Sequence, residues 1–374
     1  MNQTNKITAA IACFYLIYIF LFLAKFNFNP SATIELTTTH AQEYGRPLPT
    51  NLIVQQEGHG HDGQYYYMIA TDLSHEHITV KTFRHQRILY PLLANSLAFG
   101  QIALIPWTLL IINYVATLLG TYILLLILQK HGANLNLAFV WALNVGFLNS
   151  ILRDLTGPLM FLFILLFIYF HEKQKLKLSS FYLSCALLTN ELTLSIIFPL
   201  LLSLSIQKDY KKIKIYSWPL IVLFIWQSIL FLRFGHFPLV TSAGMLWHFT
   251  SMDFLGVISK IDIMQGLRSL YHQIPGLPVF IFCIIQCWLL VQPNNKKEGI
   301  YFWILVGQLI YIFMVKVWVG DLDRYAVGLF LFSLLYSTQK KEAYNLFLII
   351  LMFVMSALYF IERIIFFKIN YLIS

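Results

Sequence analysis

The sequence predicts an all-α polytopic membrane protein, on three observations. Of its 374 residues, 58% are hydrophobic and only 11% are charged, where a soluble domain carries about a quarter charged residues. Apolar runs of about 18–25 residues recur along the chain, each long enough to cross a hydrocarbon core of about 30 Å. The lysines fall in short clusters between those runs, as expected of cytoplasmic loops. Backbone groups in lipid must be paired within their own segment, which favours helices, and the short alternating segments of a barrel are not seen. The net charge of +9 would suggest nucleic acid in a soluble protein. Here topology accounts for it, and no nucleic-acid partner is expected.

Taken in order, the chain opens with Lys6 and an apolar run over residues 7–24. That run is long for a signal-peptide core and lacks a small-residue cleavage site, so it reads as an uncleaved first helix with a cytoplasmic N-terminus. A polar stretch over 26–87 follows, the longest interruption in the chain. Next come a short apolar segment at 88–100, broken by Pro91 and Asn95, and a full-length run at 105–128. Lysine-bearing linkers at Lys130, 171–177, 208–214, 296–298 and 340–342 all belong in the cytoplasm. Two apolar runs lie between the first pair of linkers and two more between the second pair. Each pair is a hairpin whose turn, Arg153-Asp154 or Asn190-Glu191, faces outward. Several of these runs are short, so tilted helices or a partly re-entrant hairpin are expected.

The same counting decides residues 88–100. An odd number of crossings must separate the outer loop from Lys130, and 105–128 supplies it. The segment 88–100 is too short to span and belongs at the interface or re-enters, giving a first outer loop over 26–104 with interfacial helices. A run at 215–232 leads to a second outer loop, 233–271, and the C-terminal helices over 272–374 cross at 274–291, 300–315, 325–336 and 344–360. The expectation is one membrane domain over 1–374 with about eleven spans. It puts the C-terminus outside, although Arg363 and Lys368 oppose that side. Cys13, Cys185, Cys283 and Cys287 all lie in apolar segments and read as small buried hydrophobes.

This topology places Asp62, Asp72, Arg84, Arg87, Arg153, Asp154, Glu191, Asp321, Asp323 and Arg324 on the outer side, from five separate stretches. Ionisable groups near membrane spans are costly and point to function. Asp62, flanked by Gly60 and Gly63, is the candidate catalytic carboxylate, a base for a positioned hydroxyl. The competing reading is an N-cap for the short helix that Gln64-Tyr65-Tyr66-Tyr67-Met68-Ile69-Ala70 would form. Arg84, Arg87, Arg153 and Arg324 suit a phosphate or diphosphate; the alternative is ion pairing with Asp154, Asp321 and Asp323. Glu191 either orients a sugar hydroxyl or pairs with an arginine. Gln64, Tyr66, Asp154 and Asp323 complete the candidate substrate-binding set. The first loop carries His40, His59, His61, His75, His77 and His85, but no standard zinc spacing emerges, so no metal or other cofactor is expected. Belt aromatics account for most of the tyrosines and tryptophans.

The string Asp62-Gly63-Gln64-Tyr65-Tyr66-Tyr67-Met68-Ile69-Ala70 resembles the D-x-x-x-Y-x-x-I-A signature of C-type integral-membrane glycosyltransferases (GT-C). It is nearest the mannosyltransferase branch of glycosylphosphatidylinositol assembly and its bacterial relatives. Arg87-Ile88-Leu89-Tyr90-Pro91-Leu92-Leu93 looks like the aromatic-proline segment that follows the signature. Arg153-Asp154-Leu155-Thr156-Gly157-Pro158 and Leu188-Thr189-Asn190-Glu191 look like the R-D-L-T-E-P and L-T-R-E patterns of bacterial members. Gly157 and Asn190 stand where those patterns have Glu and Arg, and His61 where a tryptophan is typical. The resemblance covers residues 1–235 and implies a GT-C-like fold with a second large outer loop after the seventh span. It implies inverting transfer of a sugar from a polyprenyl-phosphate donor to an acceptor hydroxyl, with Asp62 as the base, in cell-envelope glycan or glycolipid synthesis. A bacterial inner membrane with the active site on the outer face is the expected location. A lipid-linked-glycan transporter or flippase, or a non-catalytic envelope-assembly protein, is the alternative. A transporter should carry polar groups near the bilayer midplane and broken helices in matching halves, whereas the charges here gather at one face.

Overall fold

The computed structural model describes residues 2–42, 49, 51–56, 60–74, 83–239, 300–314, 322–340, 346–361, 363–364 and 371–373. The expected second outer loop from residue 240 onward, the expected span at 274–291, and His59, His75, His77 and Asp321 lie outside them. The described chain is mostly helical with little sheet.

Helix α1 (Gln3–Ala24) starts where the Asn2 side chain accepts a hydrogen bond from the Asn5 amide at 2.9 Å, which satisfies one amide that has no partner within the helix. Helix α5 (Ile105–Lys130) carries Pro106 in its first turn, where a missing N–H costs nothing. It packs against α1 and against α8 (Gly157–Glu172). Helix α9 (Leu176–Thr189) returns along α8, and α10 (Leu194–Ile206), α11 (Tyr210–Tyr216) and α12 (Trp218–Phe234) follow. On the C-terminal side, α13 (Ile300–Met314) packs on α10, α14 (Leu322–Lys340) on α13, and α15 (Leu346–Ile361) on α7 (Val145–Ile151).

Among the described residues, three stretches, Gln3–Ala24, Ile102–Lys130 and Tyr210–Phe234, are long and apolar enough to cross a membrane. The helices of the expected hairpins are shorter. The run after Lys130 is split into α6 (Leu137–Ala142) and α7, because Asn144 between them turns its side chain onto the Gly146 amide at 2.8 Å. A buried asparagine bonded to local backbone competes with a continuous helix.

The first loop folds onto the bundle. It holds β1 (Leu36–Thr37), α2 (Thr38–Gln42), β2 (Ile53–Gln55), α3 (Gly63–Thr71) and α4 (Leu89–Leu97). At nine residues, or about 14 Å, α4 is too short to span, and it packs with α3 against α5. Their contact forms a second apolar core that includes Tyr66, Ile69, Tyr90, Ala94 and Leu109. The helices are joined by a small three-stranded sheet. Strand β2 pairs in parallel with β1, Leu36 opposite Val54, and antiparallel with β3 (Tyr371–Ile373), Val54 opposite Leu372. The C-terminal strand is therefore built into the first loop.

Charged groups gather at the two ends of the α8–α9 hairpin. At one end Glu172 meets Lys130 Nζ and His131 Nε2, each at 2.8 Å, and Tyr301 Oη at 2.5 Å. The opposite end, across the 14 residues or about 21 Å of α9, carries Glu191 and the site described next.

Candidate functional site

Asp62 precedes α3 in a tight turn of two glycines. Gly60 has φ of +59°, and a Cβ there would lie 2.6 Å from the Glu35 carbonyl oxygen; a Cβ on Gly63 would overlap the Arg153 carbonyl oxygen. Glycine is needed at both places because two backbones close on the turn from either side. Asp62 itself is helical, with φ of −59° and ψ of −21°, and its side chain makes no cap bond to α3. The N-cap reading therefore fails, and the carboxylate is turned elsewhere.

It is turned to two arginines. Arg84 places Nε 2.7 Å and Nη2 2.6 Å from Asp62 Oδ1, and Arg87 places Nη1 3.1 Å from Oδ2. Arg87 is the hinge of the network. Its Nε and Nη2 donate to the two Glu191 oxygens at 2.8 and 2.5 Å, and its Nη1 also donates to Tyr66 Oη at 2.6 Å. Such a fork onto a carboxylate gives the strongest ion-pair geometry. Burial works against the Arg87 charge, but Glu191, Tyr66 and Asp62 outweigh it and hold the guanidinium charged, its pKa well above the ordinary value. The Arg84 guanidinium lies 4.2 Å over the Tyr65 ring, and Tyr65 Oη is 2.5 Å from His40 Nε2. Side-chain exposure falls from Arg84 at 22% to Asp62 at 15% and Arg87 at 10%. The network thus opens to solvent at its Arg84 edge.

A second cluster lies behind the turn, and the sequence reading missed it. Glu35, buried and with φ of +51°, has Oε1 2.8 Å from Arg363 Nη2 and 3.5 Å from Arg153 Nε, and Oε2 3.3 Å from His61 Nε2. Burial alone would raise its pKa, but Arg153, His61 and Arg363 together hold it down at about 2. Arg363 is 1% exposed. Its Nε donates to Tyr359 Oη at 3.0 Å, and Tyr359 donates to Asn149 Oδ1 at 2.7 Å. Only charge sign marked Arg363 in the sequence, where it counted against the expected topology. Among the described residues, Glu35, Asp62 and Glu191 face Arg84, Arg87, Arg153 and Arg363 across the two clusters.

Asp154 differs from these. It is fully buried, with φ of +47°. The Thr33 hydroxyl lies 2.6 Å from its Oδ2 and 2.7 Å from the Pro30 carbonyl oxygen. One hydroxyl has one hydrogen and cannot donate to both. Both bonds form if Asp154 carries a proton and donates to Thr33, which donates to Pro30. Burial acts in the same direction and pushes the Asp154 pKa up to about 8.

The expected site residues thus divide. Asp62, Arg84, Arg87 and Glu191 converge, and Glu191 takes its arginine-pairing alternative. Tyr66 is buried under Arg87, and Gln64 is buried with Oε1 3.3 Å from the Thr37 amide, so both support the site from beneath. Arg153 pairs with Glu35 and not with Asp154, and Asp154 has no exposed surface from which to touch a sugar. Asp323 and Arg324 begin α14, and their side chains lie outside the described ones. Two of the three departures from the family patterns are occupied structurally: Asn190 donates to Thr156 Oγ1 at 2.9 Å, and Gly157 lies against Ser150. Among the described residues no group of three His, Cys, Asp or Glu side chains is placed to hold a metal. No protein-family model matches the chain, nor does any curated protein or any solved structure.

Proposed function

We propose that the protein is a GT-C-like membrane glycosyltransferase of about eleven spans, moving a sugar from a polyprenyl-phosphate donor to an acceptor hydroxyl on the outer face of a bacterial inner membrane. The observation that carries this reading is a partly exposed carboxylate, Asp62, gripped by two arginines beside a helix start. Asp62 takes the proton of the acceptor hydroxyl, and the freed oxygen attacks the anomeric carbon. The bond from that carbon to the phosphate oxygen breaks, and the electron pair leaves with the lipid phosphate. Positively charged donors aimed at that developing charge stabilise the transition state.

Both Asp62 oxygens are held by arginine before substrate enters. The donor phosphate competes with Asp62 for Arg84, the more exposed of the two arginines, whereas Arg87 stays tied to Glu191 and Tyr66. Donor binding thereby draws Arg84 away from Oδ1, the oxygen that acts as base. The lipid tail lies along the apolar helices that flank the first loop.

The test is to give purified protein in lipid nanodiscs a radiolabelled polyprenyl-phospho-sugar and a panel of hydroxyl acceptors. The reading predicts label on an acceptor and free polyprenyl phosphate in equal amounts. Label that stays on the lipid while the lipid crosses the bilayer would support a transporter instead.

A further inference from the structure

We infer that Glu35 is a positioning residue for Asp62, clasped from the far end of the chain by Arg363, so that the last residues complete the site. The inference rests on Asp62 being the working carboxylate of the proposed transfer. Its grounds are geometric. The turn Gly60-His61-Asp62-Gly63 is wedged between two backbone carbonyls, that of Glu35 at Gly60 and that of Arg153 at Gly63. Those same two residues are joined by their side chains, Arg153 Nε to Glu35 Oε1 at 3.5 Å. The jaw that grips the turn is therefore closed by an ion pair, and His61, adjoining Asp62, is bound to the same carboxylate at 3.3 Å.

Glu35 holds a left-handed backbone conformation at φ of +51°. A non-glycine residue there is strained and persists where its surroundings over-determine it. The surroundings here are two arginines, the His61 ring and the start of β1. Arg363, 328 residues away in sequence, supplies the shortest of the three contacts. Its carbonyl accepts from Lys25 Nζ at 3.3 Å, and β3 beyond it pairs with β2. Removing one partner of a buried ion pair leaves the other charge uncompensated. Loss of Arg363 would therefore loosen Glu35, then the jaw, then the turn, without touching Arg84, Arg87 or Glu191.

A simple structural cross-link would lower stability alone. A positioning residue also moves the carboxylate, and a misplacement near 1 Å costs up to about 10²-fold in rate. The experiment compares the wild-type protein with Glu35→Gln, Arg363→Gln and Arg363→Lys in nanodiscs. It reads hydrogen exchange of the peptide covering residues 60–71 and steady-state transfer kinetics. Exchange in that peptide should rise about tenfold in both Gln variants while peptides from α5 and α8 are unchanged. The kcat should fall about tenfold or more at a donor KM within about twofold of wild type, and Arg363→Lys should recover part of both effects. Unchanged exchange at 60–71 in both Gln variants overturns the inference, as does faster exchange spread through α5 and α8. Faster exchange with wild-type kcat overturns it too. If the wild type transfers no sugar, the proposed function fails, and the exchange measurement alone then decides whether Glu35 and Arg363 hold the turn.

Discussion

At the scale of single residues, the site separates groups that face outward from groups that hold them. Arg87 belongs to the second kind: it compensates Glu191 and part of Asp62 inside the protein. Arg87→Gln should lower unfolding stability by about 3–5 kcal/mol, because it strands a buried carboxylate. Arg84→Gln, at the exposed edge, should cost under about 1 kcal/mol. Urea unfolding in detergent checks both, and equal losses would contradict the division. Asp154 gives a pH signature of definite sign. Its pKa rises from 3.8 to about 8 on folding, so between those values the folded state holds a proton that the unfolded state has released. Raising the pH through that window therefore favours unfolding, by at most about 1.4 kcal/mol per unit. Asp154→Asn keeps a donor for Thr33 and removes the titration. The variant should match wild type near pH 4, gain on it steadily up to about pH 8, and gain nothing further above. Melting curves across that range measure it, and a difference independent of pH would refute the protonated assignment. Glu35 works in the other direction, contributing stability above its ordinary 4.5 and losing it as the pH falls toward 2.

At the scale of elements, the ends of helices carry the information. Glu172, at the end of α8, gathers Lys130 and His131 from the end of α5 and Tyr301 from the start of α13. Glu172→Ala should destabilise the bundle by about 3 kcal/mol. Its effect on sugar transfer should be small, because the site lies at the other end of α9. Thermal unfolding and the transfer assay together check this, and a large loss of transfer at unchanged stability would contradict it. Much of this organisation was legible beforehand. The apolar run at 7–24 and the one at 105–128 became α1 and α5 with ends shifted by a few residues, because a hydrophobic run that long has few alternatives. The shortness of 88–100 and its Pro91 pointed to a helix that does not cross, and α4 is nine residues long. The split between α6 and α7 was not legible. It depends on where the Asn144 side chain finds a backbone amide, a local choice that run length does not record. The pairing of β3 with β2 was equally hidden, since three residues at the end of the chain carry no periodicity of their own.

At the scale of the whole molecule, the fold brings residues from the first loop, from the turns at Arg153 and Glu191, and from the far end of the chain to one end of the α8–α9 hairpin. Asp62, Arg87 and Glu191 could be proposed from sequence because each is a charge in an apolar chain, and charge counting placed them together. Glu35 and Arg363 could not, because their meaning lies in a contact across 328 residues. Gln64, Tyr66 and Asp154 belong to the substrate-binding set that the sequence suggests, yet all three are buried. A motif names residues that lie near a site without saying which of them face it. Asp62 as the base of a glycosyl transfer is tested by single-turnover transfer from a labelled polyprenyl-phospho-sugar by wild type and by Asp62→Asn, with matched folding shown by equal melting temperatures. Wild type should transfer the sugar, and Asp62→Asn should lose at least about 10²-fold. Full transfer by Asp62→Asn would contradict it.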